Sequence, residues 1–168
     1  MNSNSQKSNF KLLIRILLII NILILASTWI FTAISYFDLP EIIPVHFGFD
    51  GVPDRFGERK TNFALPVIST VNFIFLTYIG QNPDSPLLNV PDSLRQNKSL
   101  TQVFVQAMLT FVLLLFLSIV YETVQVAKGN QETISYITYT IFAGMFLFML
   151  LFFIFARRYS KKQIEKTD

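Results

Sequence analysis

Four long stretches of this 168-residue chain contain no charged side chain. An α-helix rises about 1.5 Å per residue, so roughly 20 residues are needed to cross about 30 Å of hydrocarbon. Backbone polar groups inside hydrocarbon must bond to one another, which favours helices. The uncharged stretches have 22 to 24 residues each and satisfy this length: residues 16–37, 61–83, 99–121 and 133–156.

The sequence therefore predicts an all-α integral membrane protein, with one four-helix domain over residues 1–168. The expected transmembrane helices cover residues 14–37, 62–80, 99–121 and 134–156. Charged residues make up 15% of the chain, against roughly 25% in soluble domains, and this aromatic-rich composition excludes a disordered chain. The net charge of +3 is small, which argues against a nucleic-acid partner. Without cysteine, the chain has no disulfide and no thiolate site.

The positions of Lys and Arg predict the orientation of these spans. The two tails and the second loop carry ten basic residues, whereas the first and third loops carry four. Because the basic side of a membrane protein faces the cytoplasm, we expect both termini inside a bacterial cell (inner) membrane and residues 38–60 outside. The first apolar run exceeds the roughly 7–15 residues of a signal-peptide core, so it is interpreted as a retained span. The basic C-terminal tail is expected to rest on anionic lipid.

Polar side chains inside the spans are few and uncharged. Asn62, Ser69 and Asn72 fall near one face of the second span, where they would either contact other helices or line a ligand cavity. Pro66 is predicted to kink this span. No ionisable side chain lies near the centre of any span, which argues against a proton relay, an ion-coupled transporter or a voltage sensor.

The third and fourth spans have recognisable ends and surfaces. Ser93 begins a capping-box pattern, and Gly129 matches a helix stop. A helix over residues 94–128 would be about 50 Å long, so its outer end, including Glu122, is expected to protrude from the bilayer. A lipid-facing and packing surface is predicted from six phenylalanines of the fourth span: Phe142, Phe146, Phe148, Phe152, Phe153 and Phe155.

The loop at residues 38–60 is predicted to be small and ordered, with a short helix or a β-hairpin. Pro40 suits a short helix or a turn with Asp38 as its cap. The alternating residues from Val45 to Phe49 are strand-like, and Asp50–Gly51 is typical of a two-residue hairpin turn. Pro53–Asp54 indicates a second turn. The loop is expected to lie against the membrane through four apolar side chains: Ile42, Ile43, Phe47 and Phe49.

This loop also contains a specific motif, L-P-x-x-I-P-x-H-F-x-x-x-G-x-P-D-x-x-G-x-K, of which every position is met if the last is taken as any basic residue. It resembles the bacterial membrane family DUF1648, a domain of unknown function that is the N-terminal domain type of SdpI-like immunity proteins. The resemblance implies toxin immunity and signalling by holding a repressor at the membrane. The motif is met by Leu39, Pro40, Ile43, Pro44, His46, Phe47, Gly51, Pro53, Asp54, Gly57 and Arg59 or Lys60. A looser similarity covers Asn89, Pro91, Arg95, Asn97 and Gln102.

The chemistry of the motif leaves several interpretations open. His46, Asp50 and Asp54, with Glu41 as a fourth ligand, would suit zinc or manganese, although one His without Cys makes a weak site. In the structural interpretation, Asp50 and Asp54 bond to nearby backbone while His46 bonds to a carbonyl or carboxylate. No Ser or Thr nucleophile is placed beside His46 by any motif, and no cofactor is predicted.

The favoured hypothesis is a non-enzymatic membrane protein whose outer loop binds an extracytoplasmic peptide or a membrane-protein partner, as an immunity or sensory component does. One alternative is a membrane enzyme or metal-binding protein that uses the His and Asp side chains. Another is a structural subunit of a larger membrane complex. The candidate binding residues are Pro40, Pro44, His46, Phe47, Gly51, Pro53, Asp54, Gly57 and Lys60.

Overall fold

The computed structural model describes residues 3–164, within which five helices and one two-stranded sheet follow in order. The elements are α1 (Ser3–Tyr36), β1 (Ile42–Phe47), β2 (Pro53–Glu58), a 3-10 turn (Arg59–Phe63), α2 (Ala64–Gly80), α3 (Asp92–Arg95), α4 (Lys98–Ala127) and α5 (Tyr136–Ile164). Four of these helices are long and apolar enough to cross a membrane: α1, α2 with the preceding 3-10 turn, α4 and α5. The predicted helical architecture is confirmed at this level, and the small two-stranded sheet is the β-hairpin alternative expected for the loop at residues 38–60.

Helix α4 lies at the centre of the molecule, with α1, α2 and α5 packed around it. In its most apolar stretch 44% of residues are buried, compared with 6% in α5 and 17% in α1. Leu109 and Leu113 in the middle of α4 are completely buried. The other three long helices instead turn rows of Ile, Leu and Phe away from the protein, so an apolar surrounding suits them.

The end of the molecule opposite the hairpin is closed by a hydrophobic cluster. Leu88 and Leu94 of the connection between α2 and α4 pack there with Phe104 of α4. The Phe104 ring contacts three rings of α5: Phe148, Phe152 and Phe153. Phe142, Phe146 and Phe155 are exposed. The six phenylalanines of α5 therefore divide between packing and an outward apolar surface, as predicted.

A polar network joins three helices near their middle. The Asn21 side-chain amide of α1 donates to Gln106 Oε1 at 2.9 Å and to the Gln106 carbonyl at 3.1 Å. Its oxygen accepts from Thr110 Oγ1 at 2.7 Å. Gln106 Nε2 in turn reaches Thr77 of α2 at 3.4 Å. Both polar atoms of the fully buried Asn21 amide are thus satisfied, so the network orients α1 and α2 on α4.

The predicted helix over residues 94–128 is wrong at its start and right at its end. The chain breaks between α3 and α4, because Asn97 adopts an extended conformation and its side chain accepts from the Leu100 amide at 3.1 Å as the N-cap of α4. The side chain of Ser93, on which the predicted capping box depended, lies outside the described residues. Gly129, with φ 74°, ends the helix as expected.

Pro66, which is predicted to kink the second span, lies near the start of α2. Helix α2 begins at Ala64, after the 3-10 turn, so Pro66 lies in its first turn. A proline in the first turn removes no helical hydrogen bond, because the amides there have no partner within the helix. Ser69 and Asn72, predicted to share a polar face with Asn62, donate back to carbonyls of their own helix.

Candidate functional site: the hairpin and the pocket beneath it

The motif at residues 38–60 folds into an antiparallel hairpin that lies across one end of the helices. Strands β1 and β2 pair Ile43 with Gly57 and Phe47 with Pro53, with irregular register around His46. Their connection is longer than the predicted two-residue turn. The Gly51 amide donates to the Gly48 carbonyl, Gly51 itself has φ 79°, and Asp50 Oδ1 accepts from the Val52 amide. Asp50 therefore has the turn-forming role that the sequence indicated.

One alternative for this loop is decided and one local prediction is wrong. Of the short helix or turn expected around Pro40, no helix forms, because the chain passes from α1 through a turn and a bend into β1. Pro53 and Asp54 begin β2 instead of forming a second turn. A proline is tolerated at the first residue of a strand, where no ladder amide is needed, and the two-stranded sheet leaves β2 an open edge.

The base of the hairpin is held by apolar and polar contacts. Leu39 and Ile43 are buried against Val124 of α4. The Arg59 guanidinium donates to the Leu39 carbonyl at 3.2 Å and lies 4.9 Å from the centre of the Tyr36 ring. The expectation that Ile43 faces the membrane is therefore wrong, because it packs on the protein, whereas its neighbour Ile42 is exposed.

The tip of the hairpin is held at the start of α5. The Ile134 amide donates to the Gly51 carbonyl at 2.9 Å, and the Tyr139 hydroxyl donates to the Phe49 carbonyl at 3.3 Å. A Cβ atom on Gly51 would lie 3.0 Å from the Tyr139 hydroxyl oxygen. The hairpin thus bridges from α1 to α5 and is fixed at both of its ends.

The candidate residues divide into a buried framework and an exposed surface. Pro44 and Gly51 are buried, while Phe47, Pro53 and Gly57 are half-buried. The exposed candidates are Pro40, His46, Asp54 and Lys60. Several apolar side chains of the hairpin are exposed beside them: Ile42, Val45, Phe49, Val52 and Phe56.

His46 and Asp54 form a pair across the two strands. His46 Nδ1 lies 2.5 Å from Asp54 Oδ1, and both side chains are about half exposed. The predicted contact of His46 with a carboxylate is therefore present, whereas Asp54 bonds to the imidazole and not to nearby backbone. Asp50 remains in its turn, and Lys60 pairs with Glu58 at 2.6 Å. Within residues 3–164, no group of three or more His, Asp or Glu side chains is arranged to hold a metal ion.

A pocket of about 290 Å³ lies beneath the hairpin, between β1, the start of α2 and the adjacent part of α4. Its wall is mostly apolar and includes Ile43, Phe47, Leu65, Ile68 and Ile119. Asn62 also lines it and is only 4% exposed. Neither Asn62 Oδ1 nor Asn62 Nδ2 has a hydrogen-bond partner. An unpaired buried polar group costs about 1–3 kcal/mol, so a ligand with matching groups would be favoured here.

Glu122 of α4 is a second polar residue that the sequence did not place correctly. It is 1% exposed and does not protrude. Its carboxylate accepts from the Ser135 amide, from Ser135 Oγ at 2.5 Å and from Thr138 Oγ1 at 3.0 Å. Because Ser135 directly precedes α5, Glu122 caps the N-terminus of that helix. An apolar pocket of about 410 Å³ between α1, α4 and α5 lies next to it.

Comparison with known proteins finds a family that resembles the N-terminal part of the chain, which includes the hairpin. The sequence profile of the family described as "Domain of unknown function (DUF1648)" matches residues 23–70. Residues 23–70 are similar to a DUF1648 domain. The predicted resemblance is thereby confirmed, and in the structure the DUF1648 domain comprises the second half of α1, the hairpin and the start of α2.

An uncharacterized protein of Archaeoglobus fulgidus is 40% identical over 55 residues, which are 33% of this chain and 30% of that protein. The matched stretch therefore covers less than a third of the relative. That organism is an archaeon, so proteins with this stretch of sequence occur outside bacteria. No solved structure matches the chain. The DUF1648 domain contributes the hairpin wall and Asn62 to the pocket, and α4, outside the matched residues, contributes the opposite wall.

Proposed function

We propose that this chain is a multi-pass membrane protein of the bacterial inner membrane that binds an extracytoplasmic peptide with its DUF1648 hairpin, as part of an immunity or sensory system. Both termini would lie in the cytoplasm, and the four long helices would be embedded in the lipid bilayer. The four long apolar helices and the DUF1648 domain support the coarser statement that it is a membrane protein.

The charges of the hairpin end support the proposed orientation. Of the four basic residues at this end, three have partners within the protein: Arg59 with the Leu39 carbonyl, Lys60 with Glu58, and Lys128 with Asp38 at 3.3 Å. In the sequence, the two tails and the second loop together carry ten basic residues. A large excess of Lys and Arg on one side is typical of the cytoplasmic side.

The observation that carries the binding proposal is that a hairpin fixed at both ends presents exposed apolar and charged side chains. A hairpin held at its base by Ile43 and Arg59 and at its tip by Gly51 cannot flatten against the helices to hide Phe49 and Phe56. Exposed apolar side chains next to the His46–Asp54 pair are characteristic of an interaction surface. Because the element is already ordered, binding loses little conformational entropy.

Replacing Asp54 with Ala tests this proposal. The variant should lose the effect of the chain on toxin sensitivity, or its capture of a partner, while the amount of protein in the membrane stays the same. Asp84→Ala is the matched control, because Asp84 is an exposed carboxylate outside the hairpin. Equal behaviour of the Asp54→Ala variant and the unmodified chain would reject the proposal.

The metal or enzyme alternative is favoured by one observation, the 2.5 Å contact between His46 and Asp54 on an exposed surface. Metal analysis of purified protein tests it. Stoichiometric zinc or manganese that is lost in His46→Ala would support this alternative. Absence of stoichiometric metal together with an unaffected His46→Ala variant would dismiss it.

A further inference from the structure

The pocket beneath the hairpin has one polar side chain that the protein leaves unpaired. Asn62 is 4% exposed, and both its amide nitrogen and its carbonyl oxygen lack a partner. Two buried amides of the long helices, Asn21 and Gln106, have partners, whereas Gln131 Nε2 is a further buried amide nitrogen without one. Among the described residues, Asn62 is the one in which both side-chain polar atoms are buried and unpaired, and this singles out the pocket.

The two free atoms of Asn62 restrict the chemistry of an occupant. Oδ1 needs a donor and Nδ2 needs an acceptor, and the two atoms belong to one planar group. The ester groups of a lipid, which are its polar groups closest to the acyl chains, offer acceptors only. A residue of an extended peptide presents an N–H and a C=O to the same side, as strands do when they pair.

The remaining wall of the pocket restricts the occupant further. Most of it is apolar, including Ile43, Leu65 and Ile119; its other polar side chains are Thr61, which donates to the Glu58 carbonyl, and Thr123. A volume of about 290 Å³ would hold several water molecules at roughly 30 Å³ each, and this mostly apolar wall offers them few partners. An apolar side chain fills the same space without this loss. The volume is near the lower end of the roughly 300–1,000 Å³ of ligand pockets, which suits a short segment.

We propose that this pocket binds one apolar residue of an extended peptide, whose main-chain N–H donates to Asn62 Oδ1 and whose C=O accepts from Asn62 Nδ2. The inference rests on the proposed function, because it names the part of a peptide ligand that the DUF1648 hairpin and α4 hold between them. The exposed His46–Asp54 pair would contact a different part of the same peptide.

The test uses the full chain in lipid nanodiscs with a blocked alanine–photoleucine–alanine tripeptide as the probe. Irradiation should label pocket residues such as Leu65 and Ile119, located by mass spectrometry. An analogue with an ester in place of the central N–H should compete at least tenfold more weakly than the unlabelled amide peptide. Asn62→Leu, which removes both polar atoms, should reduce labelling at least tenfold.

Asn72→Leu is the matched control, because Asn72 lies on the same helix, bonds to the Ile68 carbonyl and is absent from the pocket wall. It should label like the unmodified chain. Thermal unfolding of each variant in the same nanodiscs separates binding from folding, and Asn62→Leu should be at least as stable as the unmodified chain because it removes an unpaired buried amide. Absent labelling, equal competition by the ester analogue, or full labelling of folded Asn62→Leu would each overturn the inference.

The two proposals fail in different ways. If Asp54→Ala abolishes partner capture while the probe does not label the pocket, the hairpin is a binding surface and the pocket inference is wrong. If the probe labels the pocket with the expected dependence on Asn62 while Asp54→Ala leaves partner capture unchanged, the pocket inference is supported and the binding role of the exposed hairpin face is wrong.

Discussion

Two glycines at the hairpin end, Gly51 and Gly129, are needed for different physical reasons. Gly51 and Gly129 both have positive φ, at 79° and 74°. A Cβ on Gly51 would lie 3.0 Å from the Tyr139 hydroxyl oxygen, whereas a Cβ on Gly129 would meet nothing within 4 Å. Gly129 thus needs only its backbone conformation, whereas Gly51 needs both conformation and space.

Gly51→Ala should therefore destabilise the protein more than Gly129→Ala. A left-handed conformation costs a non-glycine residue about 1–2 kcal/mol, which both variants incur. Gly51→Ala must in addition displace Tyr139 from the hairpin tip. Thermal unfolding in the same detergent checks this order, and equal melting temperatures for the two variants would show that the tip is not packed against α5.

Glu122 provides the second prediction at this scale. Glu122→Ala leaves Ser135 and Thr138 without their acceptor at the start of α5, so it should lower the free energy of unfolding by about 1–3 kcal/mol. Glu132→Ala is the control, because Glu132 is exposed in the same connection. Equal stability of the two variants would contradict the capping role of Glu122.

The candidate site could be predicted from sequence in part. The motif identified the segment that forms the hairpin. The alternation after Val45 predicted its first strand, and the Asp50–Gly51 pair predicted its turn, both close to their observed positions. The role of Glu122 could not be predicted, since its position after an apolar run is equally typical of an exposed helix end. The unpaired state of Asn62 depends on what β1 and α4 bring near it, and no local pattern contains that information.

At the scale of elements, the hairpin is attached to α4 by one face of β1. Ile43 is fully buried and Ile42 is 58% exposed, so neighbouring residues of the same type differ only in the side to which they point. The long helices were predictable because uncharged runs of this length have few alternatives. The break before α4 and the position of Pro66 in the first turn of α2 could not be predicted, because they depend on the cap formed by Asn97 and on where α2 begins.

Ile43→Ala should loosen the hairpin without unfolding the helices. Truncating a fully buried isoleucine typically costs about 2–5 kcal/mol, and here the loss is concentrated at the contact with Val124. Hydrogen exchange of the amides in residues 42–58 should become faster, while exchange in α4 stays slow. Ile42→Ala should leave both unchanged, and faster exchange throughout the molecule in Ile43→Ala would mean that the hairpin and the helices unfold as one unit.

At the scale of the whole molecule, three long helices surround α4 and direct their apolar faces outward, and the hairpin bridges one end. This arrangement explains why so few residues are charged: charged side chains lie at the two ends and in the loops, apart from Glu122, which is buried in α4 and caps α5. It also explains why the pocket and the His46–Asp54 pair lie at the same end. A peptide could reach both from one side of a membrane without crossing it.

The orientation of this arrangement can be measured directly, because the chain contains no cysteine and any introduced cysteine is unique. Phe49→Cys places a thiol at the exposed hairpin tip, and Leu87→Cys places one in the exposed loop at the opposite end. A maleimide that cannot cross membranes should label Phe49→Cys in intact bacterial cells and should label Leu87→Cys only after lysis. Labelling of Leu87→Cys in intact cells with protection of Phe49→Cys would contradict the account.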